Sequence, residues 1–249
     1  MSSFSKEFRQ HLATEHNLGR FSEFLREIVY GGNDGIVTTF AVVAGFAGAG
    51  AEGTAEVGAI AVLLFGLANV FADAASMGLG AFLATRSAQG IYRAARTREL
   101  REIHENPEKE RAELFVILRA KGVPEPDIHD FADLYRRNPD LLADFMMQHE
   151  IGMPDPTGGN PALDGLATFL SFIFFGAIPL IPYFLRDPDR TTFHLSVLAT
   201  FLALTLLGLL RWRVTHERVA RCVAETVVVG GVCAVIAYAV GMAVGGWSG

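Results

Sequence analysis

The chain has 249 residues, 51% of them hydrophobic, with a formal net charge of −6 and a mean hydropathy of +0.31. That is too apolar for an ordinary soluble domain, and the acidic balance argues against nucleic acid as a partner. The two cysteines, Cys222 and Cys233, share one apolar segment and lie about 16 Å apart along a helix, so they do not indicate a disulfide framework.

The first 26 residues are a polar arm (Lys6, Glu7, Arg9, His11, Glu15, His16). They lack the apolar core and cleavage site of a signal peptide, and they close on an amphipathic turn or two from Phe21. Five apolar runs follow, at about 28–50, 57–85, 163–185, 193–210 and 223–247. Each approaches the roughly 20 residues that cross a ~30 Å hydrocarbon core. The expected organisation is therefore a polar arm over 1–26, two transmembrane helices over 27–85, a helical domain over 86–161, and three more transmembrane helices over 162–249. The fold class is all-α and polytopic.

The first run opens unusually, with Asn33 and Asp34 set among Gly31, Gly32 and Gly35. Glycines in a span permit close helix approach or a local break. The second run carries Asn69, Asp73 and Met77, four apart and hence on one helix face. A carboxylate in lipid costs at least ~2.5–3.5 kcal/mol, so such residues usually face a pore, a partner or an ion. Two carboxylates, an amide oxygen and a thioether make a mixed hard and soft ligand set, better suited to Fe²⁺, Mn²⁺ or Co²⁺ than to Ca²⁺. The plainer reading is hydrogen bonding between helices, with Asp73 protonated and Met77 as filler. Thr38, Thr39 and Ser76 fit that interhelical role better.

The second run continues without a helix breaker into a charged arm that stops at Asn106-Pro107. From 57 to 105 it would be about 73 Å long, well beyond a bilayer. Glu99 and Glu102 share a face of this arm, and Glu110 and Glu113 share a face of the next predicted helix. Helices are expected from Pro107 to Lys121, over 127–137 and from Leu141 to Glu150, separated by Gly-Val-Pro and Asn-Pro punctuation. The last adds Met146 and Glu150. These carboxylates and thioethers can hold divalent ions at a water interface. Alternatively, Arg98, Arg101 and Arg111 can simply pair with the glutamates.

The third run carries Pro179 and Pro182, which remove two backbone donors and predict a kinked or unwound point in the span. Arginines concentrate in the arm, the domain and the 211–221 linker, so these are expected in the cytoplasm and the C-terminus outside. Glu225, near the start of the last run, is a weak proton-relay candidate. The spans hold no Ser/His or Cys/His arrangement that would suggest an intramembrane enzyme.

Several separated motifs together resemble the vacuolar iron transporter family. They are Asn33-Asp34-Gly35 with the Phe-Ala-x-x-Ala-Gly run, Ser76-Met77-Gly78-Leu79-Gly80, Asp144-Phe-Met-Met with Glu150, and Ile178-Pro-Leu-Ile-Pro. The resemblance covers Glu27 to the end. It implies a five-span homodimer with a cytoplasmic metal-binding domain, moving Fe²⁺, and in some members Mn²⁺, out of the cytosol in exchange for protons. No organic cofactor is implied. It places the transport path at Asp34, Asn69, Asp73 and Met77, and the metal ligands at Glu99, Glu102, Glu110, Glu113, Met146 and Glu150. Many members have Glu where this chain has Asn69. Either Asp73, one turn later, takes over the role, or the site carries less charge. A membrane-anchored metal sensor or buffer is the alternative function. The expected membrane is a bacterial inner membrane, or a vacuolar-type membrane in a eukaryote.

Overall fold

A computed structural model describes residues 24–48, 55–186 and 189–247. The polar arm up to residue 23, most of the 51–56 linker and part of the 186–190 linker lie outside them. Every regular element among the described residues is helical. These are α1 (Leu25–Gly48), α2 (Ala55–Glu105), α3 (Pro107–Ala120), α4 (Glu125–Arg136), α5 (Pro139–His149), α6 (Pro161–Ala177), α7 (Ile181–Leu185), α8 (Arg190–Thr215) and α9 (Val219–Trp247), with a 3₁₀ turn at Ile178–Leu180. The chain divides into two compact units. One holds the residues up to Ala81 and from Ala162 onward, the other Phe82–Pro161.

The first unit is apolar outside and partly polar inside. On α8, Thr192, Ser196 and Thr200 are buried, while Leu198, Phe201, Leu202 and Leu206 are exposed. The same outward face of large apolar side chains continues on α9 (Val228, Val232, Val235) and on α2 (Leu64, Phe71, Leu79). Water does not favour that arrangement, and lipid does. Among the described residues four helices are long and apolar enough to cross a membrane: Ile60–Glu105, Pro161–Leu185, Arg190–Thr215 and Val219–Val244. The protein is therefore an all-helical membrane protein. Helix α2 has 51 residues, about 77 Å at 1.5 Å each. Only its part before Arg86 has the apolar composition of a span; the part beyond is charged.

Glycine sets the closeness of the helices. A Cβ on Gly35 of α1 would come within 2.5 Å of the Phe172 carbonyl on α6, and one on Gly241 of α9 within 2.5 Å of the Gly45 carbonyl. The backbones touch there, so no larger residue fits. Around these contacts Ile36, Phe40, Val43, Phe172 and Leu204 are enclosed, and close packing holds them, since lipid is as apolar as they are. In the third apolar run the regular helix ends at Ala177, one turn of 3₁₀ helix contains Pro179, and α7 resumes with Pro182 in its first turn. The buried Ser196 hydroxyl donates to the Pro179 carbonyl at 2.7 Å, so that oxygen is satisfied by protein.

The second unit is built on proline punctuation. Asn106 (φ −132°) precedes Pro107, Asn138 (φ −133°) precedes Pro139, and Pro124 (ψ 142°) precedes α4. A residue before proline is pushed out of the helical region, which ends one helix and starts the next. Gly122 at φ +83° closes α3, where the Val123 N–H returns to the Leu118 carbonyl at 3.1 Å. Leu114, Leu118, Ile128, Leu142 and Met146 form the core, joined by Ile103 from α2.

Candidate metal centre

One face of the α2 arm organises the second unit. Gln89, Tyr92, Arg96, Glu99 and Ile103 recur at helical spacing, and all but Arg96 are buried. The Gln89 amide donates to the carbonyls of Pro156 (3.2 Å) and Gly159 (3.0 Å), fixing the loop after α5. The Arg96 guanidinium donates to Asp144 (2.7 Å) and Asp140 (3.0 Å), tying α5 itself to the arm. Ile103 enters the hydrophobic core. Glu99 stands between the polar clamp and that core.

There it meets Glu110 from the first turn of α3 and Glu150 from the end of α5. One carboxylate oxygen of each lies within 4.8 Å of the other two. Glu99 is 5% exposed and Glu110 2%, while Glu150 opens to solvent. Glu99 Oε1, Glu110 Oε2 and Glu113 Oε2 are buried without a hydrogen-bond partner. A buried polar atom left unpaired costs free energy, so the arrangement is poorly satisfied by protein alone.

The electrostatics say the same. Burial, then the charges of Glu110 and Glu150, a hydrogen bond shared with Glu110 and the charge of Glu102 push the Glu99 carboxyl up to about 7. Glu110 is raised first by burial and then by Glu113, and Glu150 likewise by burial and then by Glu113. Glu99 thus keeps its proton to a higher pH than a free glutamate, and Glu110 and Glu150 are shifted in the same direction. A divalent cation among them would reverse that balance and release the protons. Carboxylates around a small partly buried space suit a hard or borderline divalent ion.

Three of the six sequence-predicted ligands, Glu99, Glu110 and Glu150, thus converge. Glu102 and Glu113 instead flank an ammonium, with Lys109 Nζ 3.8 Å from Glu102 Oε2 and 3.3 Å from Glu113 Oε1. Met146 is fully enclosed in the hydrophobic cluster with Ile103, Leu114 and Leu142; its backbone carbonyl accepts the Glu150 N–H at 2.8 Å. Arg111, a possible partner for the glutamates on sequence grounds, lies over the Phe115 ring at 5.4 Å. His129 and His149 pack on Phe115 and Phe145. The sequence reading passed over Gln89 and Lys109 and gave Arg96 no role. The pairing of Arg96 with Asp140 and Asp144, two acids one turn apart, was the available signal.

In the apolar unit, Asp34 and Asn33 line an open cavity of about 880 Å³ together with Tyr30, Arg211, Thr215 and Glu225. Asn33 Oδ1 is buried and unpartnered. Asn69, Asp73 and Met77 are each half-buried on one face, and Met77 packs against the cluster of Phe40, Val43 and Phe172. Glu225 is held by Arg211 (2.8 Å) and Arg221 (2.9 Å).

The chain is similar to vacuolar iron transporter 1 of Oryza sativa subsp. japonica, 33% identical over 222 residues, covering 89% of this chain and 86% of that protein. The corresponding Arabidopsis thaliana protein is 32% identical, covering 92% and 90%. The vacuolar iron transporter of Toxoplasma gondii is 29% identical, covering 91% and 76%. These relatives are named as transporters, and the profile of the VIT family matches residues 25–242, so the chain belongs to the VIT family.

Proposed function

We propose that this protein exports Fe²⁺, Mn²⁺ or both from the cytosol by proton antiport. It would work as a homodimer of five-span subunits, α1 being the fifth span, with the second unit in the cytoplasm. The observation that carries the reading is the convergence of Glu99, Glu110 and Glu150, two of them buried with one oxygen each unpartnered, in a chain whose relatives are named iron transporters. The second unit captures the metal, a first ion at Glu99, Glu110 and Glu150, with Glu102, Glu113 and Met146 as ligands for more once it rearranges. The ion then passes by Asp34, Asn69, Asp73 and Met77, and a carboxylate at Asp34 or Asp73 gives up a proton as it accepts metal and regains it on release. The break at Pro179 and Pro182 supplies the point at which the third apolar segment adjusts. The membrane is a bacterial inner membrane, or vacuolar in a eukaryotic cell.

The test uses Fe²⁺-loaded proteoliposomes with a pH-sensitive dye. Wild-type protein is expected to pass Fe²⁺ with an opposing proton signal. Asp34→Ala should abolish both while the protein stays folded, and undiminished flux in that variant would sink the mechanism. A membrane-anchored buffer would bind the ion and give no sustained flux.

A further inference from the structure

The carboxylates around the head of α3 fall into two sets according to what neutralises them. Glu99, Glu110 and Glu150 converge, and the two buried ones leave oxygens without partners. Glu102 and Glu113 hold the Lys109 ammonium between them, at 3.8 Å and 3.3 Å. Lys109 lies one turn before Glu113 on α3 and reaches Glu102 across the Asn106-Pro107 turn. Its side chain is 61% exposed, so water is open to it on the other side. The chain draws its basic residues almost wholly from arginine. A lysine here places a compact point charge on a flexible stem, where arginine would place a planar fork.

An ammonium and a divalent ion cannot share this pair of carboxylates. Both need the same oxygen lone pairs, and like charges a few ångströms apart repel. Glu113 offers its other oxygen, Oε2, buried and unpartnered, so the pair is not saturated by the lysine. The lysine sets a positive charge between two of the carboxylates. It therefore does part of what a metal ion would do, holding a crowd of carboxylates together when no metal is bound.

We propose that Lys109 is a tethered counter-cation that fills the Glu102/Glu113 pair in place of a second divalent ion. The domain then takes one divalent cation at Glu99, Glu110 and Glu150, and a further one only when Lys109 swings into solvent. The inference rests on the metal reading of the inner three carboxylates. It makes Lys109 the residue that sets how many ions the domain carries.

Full-length protein in nanodiscs is titrated with Mn²⁺, and bound ions are counted from the loss of the free-ion electron paramagnetic resonance signal. Lys109→Gln is expected to bind one more Mn²⁺ per chain than the wild type. It should also hold the inner ion about two- to fivefold more tightly, the size of one exposed charge interaction. Lys109→Arg keeps the cation and should give the wild-type count. An unchanged count in Lys109→Gln overturns the proposal, and so does a Lys109→Arg variant that gains the same ion. The double variant Glu99→Gln/Glu110→Gln tests the underlying reading separately. Loss of the inner ion in both Lys109 backgrounds upholds that reading; retention removes it, while the Lys109 comparison still reports on the outer pair.

Discussion

In the apolar unit an enclosed hydroxyl closes on a carbonyl: Ser171 on Ile28, Ser196 on Pro179, Thr200 on Ser196, Thr226 on Cys222. In the charged unit Glu99, Glu110 and Glu113 each leave a buried oxygen unpaired. The difference teaches where to look for a ligand. Where low dielectric makes an unpaired group expensive, the helices satisfy their own polar atoms and pack backbone to backbone through glycine. The exceptions in that unit, Asn33 Oδ1 and Thr39 Oγ1, lie on α1 within about two turns of Asp34. In the charged unit the unsatisfied atoms belong to the converging carboxylates and their neighbour Glu113. Both sets of orphans fall at or near the residues proposed to handle the ion.

The comparison can be broken from the packing side. Gly241→Leu puts a side chain where the Gly45 carbonyl lies 2.5 Å from the glycine's would-be Cβ. Overpacking at a backbone contact should cost about 2–3 kcal/mol and lower the Tm by roughly 5–10 °C. An unchanged melting curve for the purified protein would mean that the glycine contacts do not hold α1 and α9 together.

It can be sharpened from the charge side. Glu99→Gln should weaken divalent-ion binding by more than about tenfold, since even residues that only support a metal ligand cost that much. Yet the same variant should be more stable without metal above pH 7, because it removes a buried charge. The wild type supplies the sign. Glu99, Glu110 and Glu150 have raised folded-state values, so from about pH 4.5 to about 7 the folded protein binds more protons than the unfolded chain. Its metal-free stability should therefore fall as pH rises through that window, and added Mn²⁺ should restore it. Thermal melts across pH 4–8, with and without Mn²⁺, check both statements. Stability that rises with pH in the metal-free protein contradicts the burial of these carboxylates.

The smallest effect concerns the clamp. Arg96→Ala breaks the ties to Asp140 and Asp144, whose side chains are 81% and 54% exposed. Solvent screening limits the stability loss to about 0.5–1 kcal/mol. Because α5 also delivers Glu150, divalent-ion affinity should fall several-fold beyond that loss. A charge exchange, Arg96→Asp with Asp144→Arg, should recover part of the affinity. A stability change with no change in ion affinity would leave Arg96 a mere surface tie.

Composition and periodicity by themselves marked the apolar segments from 57 onward, because run length against bilayer thickness is a one-dimensional property. Proline punctuation at Pro107, Pro124 and Pro139 marked the starts of α3, α4 and α5 to within about two residues, because its effect is local to the backbone. The glutamate pairs at three-residue spacing were also visible. What spacing could not say is which member of each pair turns inward. Glu99 and Glu110 are buried, while Glu102 and Glu113 meet the Lys109 ammonium. Only tertiary packing determines that choice. The same holds for Met146, whose place in a hydrophobic cluster depends on Ile103 and Leu114 from other helices. It holds for Gln89 and Arg96 too, ordinary polar residues in the sequence, which acquire a task only when the loop after α5 and α5 itself fold back against them.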